Sequence, residues 1–164
     1  MKKIFAVLLC VLLFPLASFS ETPSNIVAEL DAYWAEVSRS VREGDFKGYT
    51  ATTHADGVLV AGTHDRCKSL AKALETWEQD FINTRSGKKK GNVEFRFSKR
   101  LHDATTAHET GIFLYSTTSD SGEKTAEYIH FEALLLKQNG AWKIMMEYQK
   151  SLATKEAWDA LSSK

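Results

Sequence analysis

Disulfide bonds within the chain are excluded from the start. The sequence has two cysteines, and Cys10 lies in an apolar leader expected to be removed, which leaves Cys67 alone. A lone thiol cannot close an intrachain bridge, so the fold must stand on packing even in an oxidising compartment. Cys67 has two readings, a nucleophilic thiol or a small buried residue, the second being the commoner state of a free cysteine. Charge of one sign is also scarce. The 21 basic side chains less Lys2 and Lys3 of the leader leave 19, against 21 acidic. The one dense basic run, KKK at 88–90, lies between Gly87 and Gly91, where a solvated turn is expected. That balance does not suit a polyanion, so nucleic acid is not expected as a partner.

Several catalytic patterns are missing as well. There is no G-x-G-x-x-G, no phosphate loop and no G-x-S-x-G elbow, so a nucleotide has no evident seat and no cofactor is expected. The histidines, at 54, 64, 102, 108 and 130, stand singly. HETGI at 108–112 begins like a zinc-protease helix, but it lacks a second His at i+4 and sits in a strand pattern. No metal site is expected.

Residues 1–20, MKKIFAVLLCVLLFPLASFS, carry Lys2 and Lys3, then an apolar run from Ile4 to about Leu16. Ser18 and Ser20 stand at the −3 and −1 positions of a cut before Glu21. This is the plan of a secretory signal peptide, and the run is short for a membrane span; an uncleaved anchor helix is the alternative. A lipid anchor would need cysteine at the cut, where Glu21 stands. No second run of spanning length follows. Residues 21–164, about 144 of the 164, are expected to form one exported domain, periplasmic or secreted, with no stable membrane anchor after cleavage.

Helix one opens at TPSN, with Thr22 as cap and Pro23 at the first helical position, and ends before Gly44. Ile26, Leu30, Tyr33/Trp34, Val37 and Val41 recur every three or four residues and make one apolar stripe. Asp45 caps a short second helix with Phe46 and Tyr49. GVLVAG at 57–62 reads as a strand, and a third helix capped by Asp65 carries Leu70, Leu74, Trp77 and Phe81 on one face. The period then changes from 3.6 to 2. NVEFRFSKRL, TAHETGIFLYSTT, KTAEYIHFEALLLK and NGAWKIMMEYQKS are four long strands joined by short turns. The last helix, TKEAWDAL, offers Trp158 and Leu161. Helices followed by a meander predict an α+β domain whose sheet curls around three N-terminal helices, leaving a pocket at the open end of a cone.

AYWAEVSRSVREGDFKGYTATTHADGVLVAG resembles the start of the nuclear transport factor 2-like superfamily, in its SnoaL-like and ketosteroid-isomerase-like branch. NGAWKIMMEYQKS is similar to that family's closing strand, and CKSLAKALETWEQDF stands where the family has its third helix. The resemblance spans residues 24–152 and implies a cystatin-like cone with a curved antiparallel sheet and a short C-terminal helix. It also implies that Tyr148 on the final strand, in one row with Trp142, Ile144 and Met146, faces the cone near its mouth. The family's isomerases place an aspartate base at the end of the first strand. This sequence has Val60-Ala61-Gly62 there, so the resemblance brings no isomerase machinery with it.

Ligand-lining candidates are Tyr33, Trp34, Tyr49, Trp77, Trp142 and Tyr148. Candidates for acid–base work are His108, Glu127 and Tyr148. His108 shares a row with Thr110, Ile112 and Leu114; Glu127 shares one with Ile129, Phe131, Ala133 and Leu135, opposite His130 and Glu132. Three functions fit: a binder of a small apolar or amphipathic molecule, a proton-transfer enzyme (isomerase, dehydratase or hydrolase), or an assembly module. The wet sheet face, interrupted by Tyr128, Leu134 and Leu136, is the expected seat of a homodimer.

Overall fold

The computed structural model describes residues 23–161. The expected leader and the Thr22 cap lie outside the described residues. The chain begins with α1 (Pro23–Glu43) and α2 (Phe46–Ala51), then β1 (Thr53–Ala61). A single 3-10 turn and β2 (Arg66–Ser69) lead into α3 (Leu70–Arg85). Four long strands follow, β3 (Lys89–His102), β4 (Thr106–Ser119), β5 (Lys124–Gln138) and β6 (Ala141–Leu152), and then α4 (Lys155–Ala160).

The six strands form one sheet in the order β2-β1-β6-β5-β4-β3. From β3 to β6 each strand pairs antiparallel with its successor, as the meander predicts. The sheet is nevertheless mixed, because β1 runs parallel to β6. The turn between β5 and β6 has Asn139 and Gly140 both at positive φ, 53° and 79°, which is the tight hairpin geometry that the Asn-Gly pair favours.

The helical stripes do what their spacing requires. Ile26, Leu30, Tyr33, Trp34 and Val37 of α1 are buried in one cluster with Phe113, Ile129, Phe131 and Leu135 of the sheet. Leu30 is fully buried, so truncating it to alanine should cost about 2–5 kcal/mol. Asp45 caps α2 as expected, its carboxylate accepting from the Gly48 N–H at 2.9 Å. Arg39 holds that carboxylate from the side at 2.6 Å.

The third-helix cap is not where the sequence suggested. Asp65 sits in the left-handed region, φ 49°, where the 3-10 turn closes. Residues 66–69 then pair with β1, and Ser69 caps α3 by accepting from the Lys72 N–H. That short strand also overturns the expectation of a buried Cys67. β2 is the edge of the sheet, and Cys67 is exposed on it.

Of three register shifts in the pairing of the long strands, two decide which side chains face inward. On β3, Phe97 pairs with Gly111 and Lys99 with Thr110, so Ser98 is an extra residue. On β6, Ile144 pairs with Leu135 and Met146 with Leu134, so Met145 is extra. Each inserted residue reverses the alternation that follows it and bends the strand. Gly111 pairs with Phe97 beside the β3 bulge, and a Cβ there would collide with the Arg96 backbone oxygen.

Candidate functional site

The concave side of the sheet and the three N-terminal helices enclose a hollow of about 280 Å³. Each wall follows from the pattern that folds it. Tyr33, Trp34 and Val37 come from the α1 stripe, Tyr49 from α2 and Trp77 from α3. The odd rows of the strands supply Phe95, Phe113, Ile129 and Phe131. Trp34 is the hub of the aromatic wall, with ring centroids 4.4 Å from Phe95 and 5.7 Å from Phe131. Tyr49 meets Trp77 edge-on at 6.1 Å and Phe81 at 5.0 Å.

Two of the polar groups lining the hollow lie on the closing strand. The Met145 bulge turns Glu147 and Gln149 into the hollow, and Gln149 Nε2 donates to Glu147 Oε1 at 2.7 Å. Burial pushes the Glu147 carboxyl above its usual range, and the Gln149 hydrogen bond only partly opposes that. Neither residue was singled out from the sequence, because strict alternation puts Tyr148 in their place.

Tyr148 is therefore corrected. It pairs with Glu132 and Val60, and its ring lies against Gly62 on the opposite face, outside the hollow. Met146 shares that outward row, whereas Trp142 and Ile144, before the bulge, point inward. Trp142 does not line the hollow either. Its indole donates to Glu29 Oε2 at 3.0 Å beside Lys137.

His108 is corrected for a similar reason. The inward row of β4 is Ala107, Glu109, Gly111 and Phe113, the alternate set. His108 faces the other side and meets Glu132 at 3.3 Å, and Lys150 holds the same carboxylate at 2.6 Å. Glu127 keeps the predicted row with Ile129 and Phe131 and stands, exposed, at the rim of the hollow. Tyr33, Trp34, Tyr49 and Trp77 are brought together as lining residues, and Trp142 and Tyr148 are not.

The phenols inside are donors. Tyr33 donates to the Thr52 carbonyl at 3.3 Å, and burial raises its pKa far above the ordinary tyrosine value. Tyr49 is raised too, by burial first and then by the Glu147 charge, and its hydroxyl has no hydrogen-bond partner among the described residues. The hollow thus offers an acceptor at Glu147, an uncommitted hydroxyl at Tyr49 and an amide at Gln149.

Behind the aromatic wall lies a charge that the sequence reading missed. Glu109 is fully buried and accepts from Trp34 Nε1 at 2.5 Å and from Arg100 Nε. Arg100 also reaches Asp31 at 2.5 Å. The Ser98 bulge is what turns Arg100 inward. The available signal was Glu109 itself, an acid in an otherwise apolar row, since a buried charge demands a partner.

The outer face is partly covered by the chain itself. Trp158 of α4 packs on Tyr128 at 5.8 Å and under the Arg96 guanidinium at 4.0 Å. Tyr128 is thereby partly covered, and it stays half-exposed, as do Leu134 and Leu136.

No known family profile matches this sequence, and no curated protein sequence matches it. Solved structures do. A calcium/calmodulin-dependent kinase II association domain, so described provisionally, from Exiguobacterium sibiricum superposes with a TM-score of 0.63 at 14% identity, covering 82% of this chain and 98% of that one. An NTF-2 like protein of unknown function from Shewanella oneidensis gives 0.58 at 12%, covering 75% and 97%. A ketosteroid isomerase-like protein from Erwinia carotovora atroseptica gives 0.56 at 16%, covering 77% and 95%. At these identities the likeness establishes the fold alone, a curved sheet with helices as in the NTF-2 like and ketosteroid isomerase-like structures.

Proposed function

We propose that this is an exported protein that holds a small amphipathic molecule in its cone. The observation that carries the reading is the hollow itself, about 280 Å³, walled by aromatics and edged by a few polar groups, Glu147 and Gln149 of the closing strand among them. That combination is the usual composition of a small-molecule site. Export rests on the basic and apolar leader over residues 1–20. An assembly module of this shape would be expected to fill its cone with side chains, and here the cone is open. Pairing of two copies through Leu134 and Leu136 is compatible with ligand binding, and a mass measurement in solution tests it.

A neutral single-ring dye such as 4-(dimethylamino)benzonitrile tests the binding reading. The dye should bind saturably to the wild type and be lost in Thr84→Trp, which plugs the mouth, while melting is unchanged. Equal binding to both proteins, or to neither, would remove the proposal.

The proton-transfer reading has one observation in its favour, the Glu147 carboxyl held protonated to higher pH by burial beside the Tyr49 hydroxyl. It places the acid on the closing strand rather than at Ala61, where the familiar base would be. Glu147→Gln should then abolish turnover of a substrate found by screening and leave its binding intact. Unchanged turnover would reject it.

A further inference from the structure

Carboxylates outnumber cations around the hollow. Glu147 stands on its inner wall, and Glu127 and Asp80 at its rim. No lysine, arginine or histidine lines it among the described residues. Lys89 neutralises Asp80 from outside, at 2.9 Å. Glu127 makes no ion pair among the described residues, and Gln149 is Glu147's only hydrogen-bond partner there. Two carboxylates are therefore uncompensated at an aromatic cavity.

An anion entering this space would lose its water, meet like charge and find Lys89 at the mouth already paired with Asp80. A neutral molecule would leave both carboxylates as they are. A cation gains twice, from the carboxylates and from the aromatic rings of Trp34, Tyr49, Trp77 and Tyr115 that line the hollow, whose quadrupoles attract positive charge in a desolvated site. The mouth already shows the second effect, with the Lys89 ammonium 5.9 Å from the centre of the Tyr115 ring.

Resting on the binding role argued above, we infer that the ligand is a small organic cation, an alkyl- or arylammonium with the positive group against Glu147 and the apolar body against the aromatic wall. The hollow, about 280 Å³, falls just below the range of about 300–1,000 Å³ that holds drug-sized molecules. One ring with a substituted ammonium suits that space better than a fused multi-ring body.

The experiment compares phenyltrimethylammonium with tert-butylbenzene, its uncharged isostere, by ligand-observed NMR on the full mature chain. The cation should bind at least about tenfold more tightly to the wild type. Glu147→Gln should erase most of that preference while leaving tert-butylbenzene binding unchanged. Circular dichroism melts confirm that the variant is folded, and Glu127→Gln provides a second charge deletion at the rim. If the isostere binds as well as the cation, the cation inference falls and the cavity stands. If neither binds, the cavity reading falls and takes this one with it. A preference that survives both substitutions also overturns the inference.

Discussion

Replacing Arg100 by methionine should be among the most damaging single changes outside the apolar core. The substitution keeps much of the aliphatic stem and removes the charge. Glu109 would then be a fully buried carboxylate with only the Trp34 indole for company. Removing one partner of a buried ion pair typically costs about 3–5 kcal/mol, because the other charge stays desolvated. For a chain of this length that corresponds to roughly 10–15 °C in melting temperature. The outer arm of the same network behaves differently. Asp31 keeps 59% of its side chain exposed, so Asp31→Asn should cost at most about 1 kcal/mol. Pairing Arg100→Met with Glu109→Leu removes both charges together and should recover most of the loss. Urea unfolding at pH 7, with slopes checked for constancy, measures the wild type, the single variants Arg100→Met, Glu109→Leu and Asp31→Asn, and the double variant. The reasoning is refuted if Arg100→Met costs no more than Asp31→Asn, or if the double variant is as unstable as the sum of its parts.

Two further expectations concern smaller effects. Ser69→Ala should cost about 1 kcal/mol as the lost cap of α3, whereas Asp65→Ala should be close to neutral for the helix, and urea melts of the two variants separate the assignments. Wild-type stability relative to Glu147→Gln should fall as pH rises from about 4.5, since a raised carboxyl makes the native state hold its proton longer than the unfolded chain. The difference should level off above the raised folded value. Tyr33, Tyr49, Tyr115, Glu127, Glu109 and the Asp80–Lys89 pair face the same region and are common to both proteins. Wild-type stability that rises relative to Glu147→Gln as pH climbs from about 4.5 would reverse the sign and contradict the placement.

Local signals placed most of the fold. The α1 stripe, the Asp45 cap, the Asn-Gly hairpin and the inward row of β5 each follow from a spacing of a few residues, and each is found where that spacing puts it. The site was less legible, for one physical reason repeated twice. Alternation along a strand carries across a bulge unnoticed, yet one inserted residue exchanges the two faces. At Met145 it trades Tyr148 for Glu147 and Gln149; at Ser98 it brings Arg100 in to Glu109. Nothing local marks either insertion, since Met and Ser fit an unbulged strand equally well. β2 was missed because four exposed or half-exposed residues, Arg66–Ser69, carry no alternation to detect. His108 had two faces available, and apolar residues on both sides, Ile112 on one and Phe113 on the other, left the choice undetermined.

Carboxyl-detected NMR titration of isotopically labelled glutamate, with Glu147→Gln to assign the resonance, asks most directly whether Glu147 lies in an apolar hollow. The account predicts a Glu147 midpoint clearly above 4.5, moving back down when phenyltrimethylammonium is added. A midpoint at or below 4.5 in the free protein would place that side chain in water and contradict the bulge, the cavity wall and the site built upon them.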